Sequence, residues 1–118
     1  VWTDVYSESV SPIILKQVLL FCPNLQNLLI SGSSALNDKL MEEILKVNHL
    51  TELSRLTIDN CPNISCTTFQ TLLDLKNKLT LVRIWSCFSI TREESLILHR
   101  KIKKENCDTY LEWHAWFG

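Results

Sequence analysis

Leu53-Ser54-Arg55-Leu56-Thr57-Ile58-Asp59-Asn60-Cys61-Pro62-Asn63-Ile64-Ser65-Cys66-Thr67-Thr68-Phe69-Gln70-Thr71-Leu72 decides the fold. Leu56 and Ile58 alternate at period two, which sends both apolar side chains to one face of a short strand. Cys61 and Ile64 close a tight corner. Ser65 brings a hydroxyl of the kind that caps a helix N-terminus, and Phe69 and Leu72 follow at helical spacing. The stretch therefore predicts a strand, a corner and a return helix.

The same spacing recurs on both sides. Leu25, Leu28, Ile30, Ser33, Leu36, Asn37, Asp38, Met41 and Ile44 fall, 28 positions on, at Leu53, Leu56, Ile58, Cys61, Ile64, Ser65, Cys66, Phe69 and Leu72. Another 26 positions reach Leu79, Val82, Ile84, Cys87, Ile90, Thr91, Arg92, Ser95 and Leu98. Stepping back 26 from the first set gives Val10, Ser11, Pro12, Leu15 and Val18. The chain divides into a partial leading unit at 1–21, full units at 22–48, 49–75 and 76–103, and a cap strand with tail at 104–118.

Each unit carries its own helix-start signal. Ser65 and Thr91 are the predicted N-caps, and Thr91-Arg92-Glu93-Glu94 places an acid three residues on, as in a capping box. Asn37 or Asp38 serves the preceding unit, and Ser11-Pro12 puts a proline just inside the earliest helix. Apolar residues then follow at three- and four-residue spacing: Leu15, Val18 and Leu19; Met41, Ile44 and Leu45; Phe69, Leu72 and Leu73; Leu98 and Ile102.

One strand and one helix cannot bury their shared apolar face alone, so neighbouring units stack. The expected architecture is an α/β solenoid, a horseshoe with a concave parallel sheet and convex helices. A remnant of an earlier strand is expected around Trp2 to Val5. The run Cys107 to Trp113 reads as a last strand with two possible registers. Turning Leu111 and Trp113 inward requires a unit of 29, and turning Tyr110 inward requires 26. The first leaves Asp108 and Glu112 to solvent and is preferred. The closing Trp113-His114-Ala115-Trp116-Phe117 is expected to cover the open end of the core.

Cys22-Pro23-Asn24-Leu25-x-x-Leu28-x-Ile30-Ser31-Gly32-Ser33, Leu56 to Ser65 and Ile84 to Thr91 resemble the cysteine-containing class of leucine-rich repeats. That class is typical of F-box proteins, the substrate-recognition subunits of cullin-type ubiquitin ligases. The resemblance covers roughly residues 10 to 100. Ser33 replaces the usual cysteine, and Cys66 and Arg92 stand where an aspartate is common. The resemblance implies a protein-interaction module whose partner is a ubiquitination substrate. No F-box-like three-helix segment lies within these residues, so the ligase context comes from the family alone.

Composition narrows the remaining classes. At 118 residues with 46% hydrophobic content, the chain is the size of one domain and can bury a core. A net charge of -1 gives no overall field toward nucleic acid or an anionic membrane. No run of about 18 apolar residues exists to span a bilayer. The opening Val1 and the absence of a signal-like start are read as a piece cut from a larger protein. Five cysteines without paired spacing fit free thiols in a reducing compartment, cytoplasmic or nuclear.

No catalytic constellation, metal set or cofactor motif emerges, and a small-molecule substrate is not expected. Cys61 and Cys87 recur at one corner position, where a small side chain packs and its thiol meets backbone groups. Cys66 lies near a predicted helix N-terminus, which lowers thiol pKa values, but no orienting base is visible. His49, His99 and His114 are scattered. Glu42-Glu43 and Glu93-Glu94 read as solvated helix surface. The basic run His99 to Lys104 reads as cationic side chains in the last turns of a helix, ahead of a nucleic-acid patch.

The expected binding surface is the concave strand face. Residues between the inward Leu and Ile positions form three rows: Asn27, Arg55, Leu81; Leu29, Thr57, Arg83; and Ser31, Asp59, Trp85. Leu29, Leu81 and Trp85 are expected to face solvent with Arg55 and Arg83 between them, the composition of an interface centre. The competing readings are a scaffold without a ligand, with Trp85 merely covering the sheet, and a nucleic-acid module built on the basic run.

Overall fold

The computed structural model describes the backbone of residues 2–6 and the whole of residues 11–75, 78–105 and 108–115. Strands and helices alternate: β1 (Trp2–Tyr6), α1 (Pro12–Leu20), β2 (Asn27–Ser31), α2 (Asp38–Val47), β3 (Arg55–Asp59), α3 (Cys66–Asp74), β4 (Leu81–Trp85), α4 (Arg92–Glu105) and β5 (Tyr110–His114). The strands form one parallel sheet whose spatial order, β1-β2-β3-β4-β5, is the chain order. Consecutive helices pack against one another in the same sequence. The fold is α/β. Ile30, Ile58 and Ile84 stand side by side on adjacent parallel strands.

The core follows from the alternation. Leu28 and Ile30, Leu56 and Ile58, and Val82 and Ile84 are buried, whereas their strand neighbours are half-buried or exposed. From the helices, Leu15 and Leu19, Met41, Ile44 and Leu45, Phe69, Leu72 and Leu73, and Leu98 and Ile102 close over them. Val18, expected in this layer, is half-buried. In β5, Val82 pairs with Leu111 and Ile84 with Trp113, the 29-position register. Leu111 is buried and Trp113 packs on the core's margin, while the expected cover by Trp116 and Phe117 falls outside the described residues.

The helix starts follow their sequence signals. Ser11, Asn37 and Ser65 accept from the backbone N–H groups of Ile14, Leu40 and Thr67 through their side chains. Asn37, not Asp38, is therefore the cap of α2. At α4 the Thr91 hydroxyl accepts from Glu94 N–H at 3.2 Å, and the Glu94 carboxylate accepts from Thr91 N–H at 3.1 Å, closing the capping box.

The corners repeat in detail. The residue after each of β2, β3 and β4 is left-handed: Gly32 at φ 68°, Asn60 at 50° and Ser86 at 53°. Glycine adopts this conformation without steric cost, whereas Asn60 and Ser86 hold it against their Cβ atoms. Their N–H groups donate to Asp59, Trp85 and His114 carbonyls of the next strand at 2.8–2.9 Å. The Cys61 thiol lies 3.4 Å from Asp59 O and 3.9 Å from Ile30 O, and the Cys87 thiol 3.4 Å from Trp85 O and 3.5 Å from Ile58 O. Each thiol thus ties its corner to the strand before it. Ser33 in the same position is buried and instead accepts from Leu36 N–H at 3.2 Å, a bond within its own corner.

From the last strand residue to the N-cap is six positions in three units (Ser31 to Asn37, Asp59 to Ser65, Trp85 to Thr91) and five in the first (Tyr6 to Ser11). The return from N-cap to next strand varies more, at 16, 18, 16 and 19 positions (Ser11 to Asn27, Asn37 to Arg55, Ser65 to Leu81, Thr91 to Tyr110). Hydroxyls stitch these returns to the sheet: Ser54 donates to Gln26 O, Thr80 to Ser54 O and Thr109 to Leu79 O.

Candidate interaction surface

Strand alternation leaves one side of the sheet turned away from the helices, and parallel register aligns its side chains in rows. Asn27, Arg55 and Leu81 share one row, Leu29, Thr57 and Arg83 the next, and Ser31, Asp59 and Trp85 the third. β5 extends each row, with Tyr110 beside Leu81, Glu112 beside Arg83 and His114 beside Trp85. These three additions were within reach of the sequence, because the register that buries Leu111 also places them there.

Exposure differs from the expectation. Arg55 is exposed, but the other eight residues are half-buried, Leu29, Leu81 and Trp85 among them. Strands about 4.8 Å apart bring same-row side chains into contact, so each covers its neighbours. Among the described residues of this face, Tyr110, at 65% exposure, is the large aromatic side chain left open.

Arg83 is the hub. Its guanidinium carbon lies 5.4 Å from the centre of the Trp85 ring, and its Nε is 3.3 Å from Glu112 Oε2. The other carboxylate oxygen of Glu112 lies 3.0 Å from His114 Nε2. Arg83 Nε is close enough to Glu112 for an ion pair but not aligned for a hydrogen bond, and the buried Trp85 Nε1 and Asn27 Oδ1 have no hydrogen-bond partner among the described residues. Across the sheet, Ser31 donates to Asp59 Oδ2 at 3.1 Å.

The other chemistry-bearing residues lie elsewhere. Burial raises the thiols of Cys61 and Cys66 and pushes Cys87 up to about 11. At Cys66 the carboxylates of Glu94 and Asp38 add to the effect, so the helix start does not activate this thiol. Cys107 falls outside the described residues. Among the described residues, no three of His, Cys, Asp and Glu gather as a metal set. No helix among them is long and apolar enough to cross a membrane.

Glu43 is engaged by Lys16 at 3.0 Å, and Glu94 by its capping box. In the basic run, Ile102 is buried and Lys101 is held by Asp74 and Glu105. On the helical side, Asp38, Met41, Glu42, Leu45, Thr67, Thr68 and Thr71 line a groove of about 380 Å³ between α2 and α3. Its Asp38 carboxylate is already committed to Ser65 and Thr68.

Compared with known proteins, the sequence matches no protein-family model and shows no significant match to a curated protein.

Proposed function

We propose that this chain is a leucine-rich-repeat solenoid of the cysteine-containing class, and that its concave sheet face binds another protein. Its natural context, on this reading, is substrate recognition within an F-box-type ubiquitin-ligase adaptor, with any chemistry residing on other subunits. What supports the repeat reading is the recurrence of one corner: a left-handed residue after the strand, a buried thiol at Cys61 and Cys87 reaching back to the preceding strand, and a cap six positions on. The free Cys22, Cys61, Cys66 and Cys87 agree with a cytoplasmic or nuclear setting.

The observation that carries the binding reading is the Arg83–Trp85–Glu112 cluster on an otherwise regular sheet face. Arginine and tryptophan are among the residues that carry most binding energy at interface centres. The test is the double substitution Arg83→Ala/Trp85→Ala, with folding verified by circular dichroism. Partners captured from cells by the wild-type protein should be lost from the double variant. An unchanged set of partners would leave the scaffold reading in its place.

A further inference from the structure

We propose that the segment bound by this face is charge-polarised, with a carboxylate side chain meeting Arg55 and a cationic side chain meeting Asp59. This rests on the sheet face being a binding surface and adds the chemistry of what it binds. Four charged side chains are described on the face. Two of them, Arg83 and Glu112, neutralise each other across β4 and β5 at 3.3 Å.

Arg55 and Asp59 do not. Arg55 is exposed and makes no side-chain hydrogen bond or ion pair with any described residue. Asp59 accepts from the neutral hydroxyl of Ser31, which solvates the carboxylate without cancelling its charge. Both residues lie on β3, the middle strand of five, at its opposite ends. Four steps at about 3.3 Å separate them by roughly 13 Å.

Between the two poles the middle row of β3 is Thr57, flanked by Leu29 on one side and on the other by Arg83, whose charge Glu112 offsets. Leu81 and Tyr110 share the row of Arg55, and Trp85 stands beside Asp59. Apolar surface at each pole excludes water when a partner docks, which strengthens any ion pair formed there. It also raises the cost of leaving either charge without a counterpart. A neutral segment would strand both charges. A uniformly acidic or basic one would satisfy one pole and be repelled at the other. A mixed segment compensates both, and about four extended residues bridge the span.

The experiment is selection of phage-displayed random short peptides on the folded wild-type chain and on single-charge reversals, each verified by thermal melting. Wild type should enrich peptides carrying both an acidic and a basic residue a few positions apart. Arg55→Glu should enrich Lys and Arg and deplete Asp and Glu, and Asp59→Lys should do the reverse. Should Asp59→Lys fail to fold, Asp59→Asn replaces it and should remove the preference for a basic residue. A synthetic copy of a wild-type-selected peptide should lose about tenfold in affinity on Arg55→Glu. If the selected peptides are uncharged, unaffected by either reversal, yet lost on Trp85→Ala, the polarity is wrong and the binding face stands. If binding ignores every face substitution, or nothing enriches above uncoated support, both fail.

Discussion

The Ser65 hydroxyl donates to the Asp38 carboxylate at 2.6 Å, joining the cap of α3 to the first turn of α2. Ser65 N–H and the Thr68 hydroxyl converge on the other carboxylate oxygen at 3.0 and 2.6 Å. Burial pushes this carboxyl up, but the hydrogen bonds from Ser65 and Thr68 together outweigh it and hold the pKa below its ordinary 3.8. The folded form therefore binds its proton more weakly than the unfolded chain. The associated stability is present above the ordinary carboxyl range and lost as pH falls through the lower folded value. Asp38→Asn should cost about 1–3 kcal/mol in denaturant melts at neutral pH. It should also flatten the acid limb of the stability curve; an acid limb unchanged from wild type would remove Asp38 from this role.

Ser86 is held at φ 53°, and its hydroxyl makes no hydrogen bond with a described residue. Ser86→Gly should stabilise the chain by about 0.5–1 kcal/mol, since the relieved Cβ strain exceeds the added freedom of the unfolded glycine. Leu50, at φ 51°, should respond in the opposite sense. Its side chain is buried at 1% exposure, so Leu50→Gly should lose about 2–5 kcal/mol. Paired urea titrations of the two variants test both signs.

Ile58 pairs with Ile30 on one side and Ile84 on the other, at 3% exposure. Ile58→Ala should cost about 2–5 kcal/mol. Because the unfolding unit spans neighbouring strands, near-ultraviolet signals from distant tryptophans should fall in the same transition. Separate transitions would show that the repeats melt independently.

The thiols give a chemical readout. Cys87 is pushed up to about 11 by burial, so the folded chain keeps this proton when the unfolded chain has released its own. Stability should therefore decline from about pH 9, the ordinary thiol value, toward about 11. Cys87→Ala should lack that component of the decline. At neutral pH, Cys61, Cys66 and Cys87 should resist a thiol reagent until unfolding, while half-buried Cys22 reacts first.

Period-two alternation at Leu56 and Ile58, and its recurrence, made the strands, their parallel neighbours and the inward positions legible, because burial imposes that pattern directly on residue type. Caps were legible for the same reason at Ser65 and Thr91, where the hydroxyl sits one residue before the helix. Asn37 and Asp38 could not be separated by type, since both are good caps. The structure divides their work, with Asn37 closing its own helix and Asp38 reaching the next one. The three rows of the sheet face followed from register alone. The half-burial of Leu29, Leu81 and Trp85 did not, because it depends on contact across strands. The preferred 29-position register already set Glu112 beside Arg83, but the ion pair itself depends on side-chain placement, which register alone does not give.

The nearly constant step from strand end to cap, set against the uneven run back to the sheet, gives the molecule one rim cut to gauge and one that is slack. Extra length is absorbed on the slack rim, as the longer path around Asn48 and Leu50 already demonstrates. A tag or reporter loop spliced there would travel with the domain and leave the sheet face unobstructed.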